Sequence, residues 1–208
     1  MQEKTFKLIL GSQSPRRKEL LTHLSIPFEI VTADLDEVST FSSPDDVVRD
    51  LAIQKGQAVL VQCLKNDMAD TPLVISSDTI VCLGEEIFNK PNDIDDARRI
   101  LQTLSGKTHI VRTAVAFTCP DQKPYSFIVA TEVTFDEIAS EILESYLETG
   151  DSLDKAGAYG IQGPSLTFIS SIKGSYSAVV GFPLSDVVVH LKKFIGDESK
   201  NWRERFIK

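Results

Sequence analysis

Leu8-Ile9-Leu10-Gly11-Ser12-Gln13-Ser14-Pro15-Arg16-Arg17-Lys18-Glu19-Leu20-Leu21 reads as a short buried strand, a tight turn and the start of a helix. Ser14 suits an N-cap, and Pro15 falls at the first helical position, where a missing N–H costs nothing. The free N–H groups of that first turn point outward with the positive end of the helix dipole behind them. Arg16, Arg17 and Lys18 follow at once. Dipole logic alone favours Asp or Glu there, so three cations make sense if an anion binds. A solvated basic turn is the plainer alternative. A phosphate-bearing ligand is the sharper expectation.

The chain around this stretch has 208 residues, 42% hydrophobic and 25% charged, the composition of a globular protein rather than a disordered one. With 30 acids against 22 bases, its formal net charge is −8, which argues against a general nucleic-acid binder. Cys63, Cys82 and Cys119 are scattered and odd in number, with neither zinc spacing nor a disulfide framework. No apolar run approaches the roughly 20 residues of a membrane span, and the N-terminus does not read as a signal peptide. A soluble cytoplasmic protein is expected.

Onward from the opening stretch, Phe28–Thr32 reads as a second strand running into an acidic loop, Asp34-Leu35-Asp36-Glu37. Ser43-Pro44-Asp45-Asp46 repeats the helix-start signal, and the helix reaches Cys63 or Leu64. Lys55 shares an apolar stripe with Val48, Ala52 and Val59; such a lysine either snorkels to solvent or aims its ammonium into a cleft. Leu73–Leu83 is the most buried-looking strand, and Asp78 interrupts it. A carboxylate there needs a partner. It is either a structural group bonded to amides or arginine, or a metal ligand or general base. A hairpin to Asn89-Lys90-Pro91, a helix capped by Asp93 and two long strands near 108–118 and 126–135 follow. Ser140 opens a further helix. The segment Asp154-Lys155-Ala156-Gly157-Ala158-Tyr159-Gly160-Ile161-Gln162-Gly163 is small and glycine-rich, so backbone can approach a ligand closely. A closing hairpin turning at Lys173-Gly174, a last helix after Gly181-Phe182-Pro183, and a frayed charged tail from Asp197 complete the reading. The whole is expected to be a single domain over 1–208, its core at about 6–195.

Together these motifs resemble the Maf family of nucleotide pyrophosphatases. The matching stretches are Gly11-Ser12-Gln13-Ser14-Pro15-Arg16-Arg17, Ser77-Asp78-Thr79, Asn89-Lys90-Pro91, Leu104-Ser105-Gly106 with His109, Asp154-Lys155-Ala156-Gly157 and Gly181-Phe182-Pro183-Leu184. They stand in family order across nearly the whole chain. The resemblance implies a two-lobed α/β unit with an elongated mixed β-sheet, flanking helices and a central cleft, similar to the inosine triphosphatase architecture. It also implies hydrolysis of nucleoside triphosphates to monophosphate and pyrophosphate with a divalent metal, Mg²⁺ or Mn²⁺, and a homodimer. In that family the residue matching Asp78 is the proposed proton acceptor. Arg16, Thr79 and Gln162 match the branch preferring dTTP and UTP, with modified pyrimidines as possible substrates and a house-cleaning role that keeps non-standard nucleotides from incorporation.

Chemistry agrees with that expectation. Cleavage between the α and β phosphates needs an activated water and neutralisation of the triphosphate. Asp78 is the candidate base and metal ligand, with Glu37 as second ligand. Ser12, Arg16, Arg17, Lys55, Lys90 and Lys155 are candidate phosphate contacts, arginine for paired bonds and lysine as a point charge. Gln162 and Thr79 suit a pyrimidine edge, because an amide donates and accepts at once. Gln13 departs from the usual small residue, either crowding the phosphate turn or facing solvent. Three alternatives stand beside this reading: a 7-methyl-GTP pyrophosphatase of the same family, a phosphatase releasing single phosphates, and a non-catalytic nucleotide sensor acting in cell-division arrest.

Overall fold

A computed structural model describes residues 4–65 and 70–207. Seven strands form one mixed sheet: β1 (Lys7–Leu10), β2 (Glu29–Ile30), β3 (Pro72–Leu83), β4 (Glu86–Phe88), β5 (Thr108–Thr118), β6 (Tyr125–Phe135) and β7 (Ile169–Lys173). Their order is β2-β1-β3-β5-β6-β7, with β4 paired to β3 off this path. β1 runs parallel to both β2 and β3, whereas β3, β5, β6 and β7 pair antiparallel in succession. Among the described residues six α-helices cover it: α1 (Pro15–Thr22), α2 (Pro44–Lys65), α3 (Ile94–Leu104), α4 (Ser140–Glu148), α5 (Tyr176–Val180) and α6 (Leu184–Ile195). Among the described residues no helix is long and apolar enough to cross a membrane.

The strand β3 is 12 residues long, roughly 40 Å at 3.3 Å per residue. Such a strand is long enough to serve two cores. Near its start, Leu73 and Ile75 pack with Leu8, Leu10, Phe117 and Phe182. Near its end, Val81 packs with Phe88, Leu101, Val111 and Phe135. Between them lies Ser76-Ser77-Asp78-Thr79, the polar interruption seen in the sequence. Side chains alternate across the sheet, so Ser77 and Thr79 face one layer while Ser76 and Asp78 face α2. Ser76 Oγ donates to the Ala52 carbonyl of α2 at 2.7 Å.

Gly56 lets α2 come that close. A Cβ there would stand 2.6 Å from Thr118 Oγ1 and 2.7 Å from Ser76 Oγ. With the helix seated on the sheet, the adjacent Lys55 is carried to Asp78.

Two expectations need correction. The predicted closing hairpin at Lys173-Gly174 is absent: β7 leads into α5. Ser175 caps that helix by accepting from the Ala178 N–H, and Gly181 ends it in the left-handed conformation. Local capping outweighs the β-branched and aromatic character of 176–180. The tail from Asp197 is not frayed either. Trp202 and Phe206 are buried in the first core, and Phe206 makes a parallel bridge to Phe6. Asp197 and Arg205 lie 3.6 Å apart, so the charges that suggested a solvated tail are partly paired while its aromatics bury apolar area.

Candidate active site

The turn after β1 sets one end of the site. Ser14 Oγ accepts from the Arg17 N–H at 3.4 Å and Pro15 opens α1, as the residues predict. No acidic residue stands in that first turn, which leaves its positive end unneutralised. This turn and the acidic loop border a hollow of about 420 Å³. A second cavity, of about 730 Å³, adjoins it and has more apolar walls, including Val81, Val111, Ile161 and Val179. The two share Ser14, Arg16, Arg17, Glu37, Lys55, Lys90 and Asp154. Every candidate residue named from the sequence lines one cavity or both, Ser12 on the first and Asp78, Thr79, Lys155 and Gln162 on the second.

Asp78 is only 7% exposed. Its Oδ1 accepts from Lys55 Nζ at 2.5 Å, and Nζ also reaches Glu37 Oε2 at 2.8 Å. The lysine therefore does not snorkel away; it stands between two carboxylates. Asp78 Oδ2 makes no hydrogen bond among the described residues. Glu37 sits in a loop without regular structure, tied to α2 by Gln54 Nε2 donating to the Val38 carbonyl at 3.0 Å. Two carboxylate oxygens converging on one cation form a set that magnesium accepts when phosphate and water complete the shell. Among the described residues there is no group of three or more His, Cys, Asp or Glu that could cage a metal alone.

The cations divide into two kinds. Among the described residues Arg16 meets only Asp154, at 3.7 Å, and Lys90 stands exposed at the rim without an ion pair. By contrast, Arg17 has four of its five N–H donors engaged and Lys155 all three. Arg17 Nε donates to the Gly181 carbonyl at 3.0 Å, Nη1 to the Ser77 carbonyl at 2.8 Å and to Ser12 Oγ at 3.3 Å, and Nη2 to Thr79 Oγ1 at 3.3 Å. It ties α1, β3 and the end of α5 together. Lys155 Nζ lies 2.9 Å from Asp151 Oδ1 and 2.6 Å from Asp154 Oδ1, inside its own loop.

A directional chain fixes Thr79. Thr113 Oγ1 donates to the Ala178 carbonyl at 2.7 Å, so its 3.0 Å bond with Thr79 must be donated by Thr79. With Arg17 also donating to it, the Thr79 hydroxyl has only a lone pair to offer a ligand. Gln13 turns to Thr32 Oγ1, at 3.3 Å, on the exposed side.

Sequence reasoning did not foresee the Gly181 carbonyl, which accepts from both Arg17 and Ser77. Nor did it foresee the pairing of buried His109 with Tyr159, Nε2 to hydroxyl 2.7 Å. The motif spacing marked His109 but not its partner, which lies 50 residues on. Burial pushes the imidazole down to about 4. A histidine held neutral in the fold but titrating near 6.5 when unfolded costs stability as pH falls through that interval. Between pH 7 and pH 5 this residue is expected to remove about 2 kcal/mol. Urea midpoints at the two pH values, for the wild type and His109→Gln, check it: the variant should lose less.

Comparison with known proteins identifies relatives of the whole chain. The family model described as Maf-like protein matches residues 7–194. A dTTP/UTP pyrophosphatase of Bacillus cereus (strain B4264) is 44% identical over 189 residues, 90% of this chain and 95% of the relative. A dTTP/UTP pyrophosphatase of Pseudoalteromonas atlantica is 47% identical over 178 residues, 85% of this chain and 91% of the relative. Among solved structures, a HAM1 protein from Coxiella burnetii aligns with a TM-score of 0.50 and 14% identity, covering 90% of this chain and 99% of that one. That likeness concerns the fold alone.

Proposed function

The chain belongs to the Maf-like protein family, and from that premise we propose that it hydrolyses dTTP and UTP to monophosphate and pyrophosphate. The observation that carries the reading is the Asp78–Lys55–Glu37 cluster between the larger cavity, about 730 Å³ with apolar residues in part of its wall, and a cationic helix start. A pyrimidine would occupy the larger cavity, with its phosphates running toward the turn before α1.

In this reading Lys90 and Arg16, the latter through its guanidinium and the backbone N–H it leaves free in the first turn of α1, hold phosphate oxygens. Ser12 accepts from the Ser14 N–H at 3.2 Å and shapes the turn that presents them. Lys55 orients Asp78 through Oδ1, leaving Oδ2 to take a proton from the attacking water as the α–β bridging P–O bond breaks and pyrophosphate leaves. Arg17 braces the wall rather than meeting phosphate, and Lys155 locks its own loop. Asp78 and Glu37 would hold Mg²⁺ or Mn²⁺ arriving with the triphosphate, and the bound ion supplies charge neutralisation and a more acidic water. Gln162 and the Thr79 lone pair read the base, Thr79 as acceptor for a pyrimidine N3–H. A homodimer and the clearing of modified pyrimidines belong to the same reading and rest on the family resemblance; a cytoplasmic location rests on the scattered, unpaired cysteines.

The test is purified protein with Mg²⁺ and dTTP, UTP, CTP, GTP and 7-methyl-GTP, with products separated. Pyrophosphate from dTTP and UTP is expected, and Gln162→Ala should narrow the preference over CTP by about tenfold, the worth of one well-placed pair of polar contacts. Release of single phosphates, or preferential turnover of 7-methyl-GTP, would sink the reading. An unchanged preference in Gln162→Ala would remove that residue from base recognition.

A further inference from the structure

The glycine-rich loop carries its ligand-facing residues on an unfavourable backbone path. Gly157 has φ +70°, and Ala158, which lacks glycine's freedom, follows at φ +60°. Two successive left-handed residues, one bearing a Cβ, persist only when their surroundings hold them. A side chain at Gly157 would also drive its Cβ to 2.8 Å from the Val81 side chain. Directly after this pair the chain extends through Tyr159 and delivers Ile161 and Gln162 to the larger cavity.

Two side chains from outside the loop hold this path. Tyr146 on α4 places its hydroxyl 3.2 Å from the Ala158 carbonyl. His109, near the start of β5, meets the Tyr159 hydroxyl at 2.7 Å, and the two rings stand edge to face at 5.3 Å. His109 is 1% exposed and Tyr159 4%. The imidazole Nδ1 has no partner among the described residues. A residue needed only for packing here would be better served by phenylalanine, which brings no orphan polar atom into an aromatic cluster. The histidine keeps that cost for one bond, and the bond is aimed at the loop.

We infer that the His109–Tyr159 hydrogen bond pins residues 157–162 in their strained path and so positions Gln162 and Ile161 against the nucleotide base, making His109 a positioning residue for substrate selection. The loop end of this inference stands on geometry alone; its substrate end rests on the proposed function. Burial keeps the imidazole neutral at physiological pH, so the bond does not depend on a charge that solvent would screen.

The experiment compares the wild type with His109→Phe, Tyr159→Phe, the double variant and His109→Gln, whose amide can still bond the tyrosine hydroxyl. Four quantities are read: amide exchange of residues 156–163, affinity for the α,β-imido analogue of dUTP with Mg²⁺ by calorimetry, and KM and kcat for dTTP. His109→Phe and Tyr159→Phe are expected to speed exchange in the loop, weaken analogue affinity and raise KM by about threefold to tenfold, the range of one hydrogen bond. Their kcat should change little, the double variant should be no worse than either single one, and His109→Gln should restore most of the affinity. Unchanged exchange would overturn the pin. Faster exchange with unaltered affinity and KM, or additive effects in the double variant, would overturn the positioning role while leaving the pyrophosphatase reading intact. A wild type that neither binds the analogue nor cleaves dTTP would overturn that reading and the substrate end with it, and the exchange data would still decide the pin.

Discussion

Asp78→Asn is expected to lower dTTP turnover by about 10³-fold while leaving the fold and nucleotide binding in place. Loss of a positioned general base typically removes 10²–10⁴-fold. The amide has the shape of the carboxylate but no proton affinity, so the water next to it goes unactivated. Lys55 keeps Glu37 at 2.8 Å as a partner, which avoids stranding an ammonium in the wall; stability should move by no more than about 1 kcal/mol. Without metal, removing a negative charge beside an incoming triphosphate should hold or tighten its affinity, and with Mg²⁺ the loss of one proposed ion ligand offsets that gain. Single-turnover rates and calorimetric binding, measured on one preparation, separate the two effects. Retained turnover within tenfold of the wild type would place the base elsewhere, and a parallel loss of binding would make Asp78 a ligand holder first.

Arg17→Lys is expected to act on the whole fold. The guanidinium spans the Gly181 and Ser77 carbonyls, Ser12 Oγ and Thr79 Oγ1, and a compact ammonium cannot meet four acceptors spread over three elements. Buried acceptors left unmatched cost about 1–3 kcal/mol each, and a total near 3 kcal/mol is expected because Ser77 Oγ still donates to the Gly181 carbonyl at 2.8 Å. In a chain of this size that lowers the melting temperature by about 6–12 °C. Arg16→Lys is the matched control: it should raise KM for dTTP and leave the melting temperature unchanged. If the neighbours exchanged behaviours, Arg17 melting normally with a raised KM, it would be the phosphate clamp and the brace assigned to it would be wrong.

The two arginines show where sequence stops. Strand, cap, proline and basic run in Leu8–Leu21 follow from local rules: a Ser14 cap, the fixed φ of Pro15 and the exposed N–H groups of a first helical turn. These rules fix that cations stand at a helix start of the kind that suits an anion. They do not say which cation faces the ligand. Arg17 is turned inward by the Gly181 carbonyl, 164 positions away, and that acceptor is in place only once α5 is packed on β5 and its left-handed end meets Ser77 of β3. Lys155 and Thr79 are likewise redirected, one by carboxylates of its own folded loop and the other by the hydroxyl of Thr113 across the sheet.

Asp78 was legible for the opposite reason. A carboxylate within an apolar strand violates the burial pattern wherever the chain folds, so its need for a partner is written in the sequence. That the partner is Lys55 depends on Gly56 admitting α2 to the sheet. The tail failed by the same logic reversed: its charges are visible locally, while the pocket that takes Trp202 and Phe206 is built by residues at the other end of the chain. Sequence alone determined the elements from β1 to α4, the Ser14 and Asp93 caps and the run of cations at a helix start, since those depend on neighbours within a few residues. Tertiary structure decided which donors remain for the ligand, because a hydrogen-bonding group is committed only when folding brings a distant acceptor within about 3 Å of it.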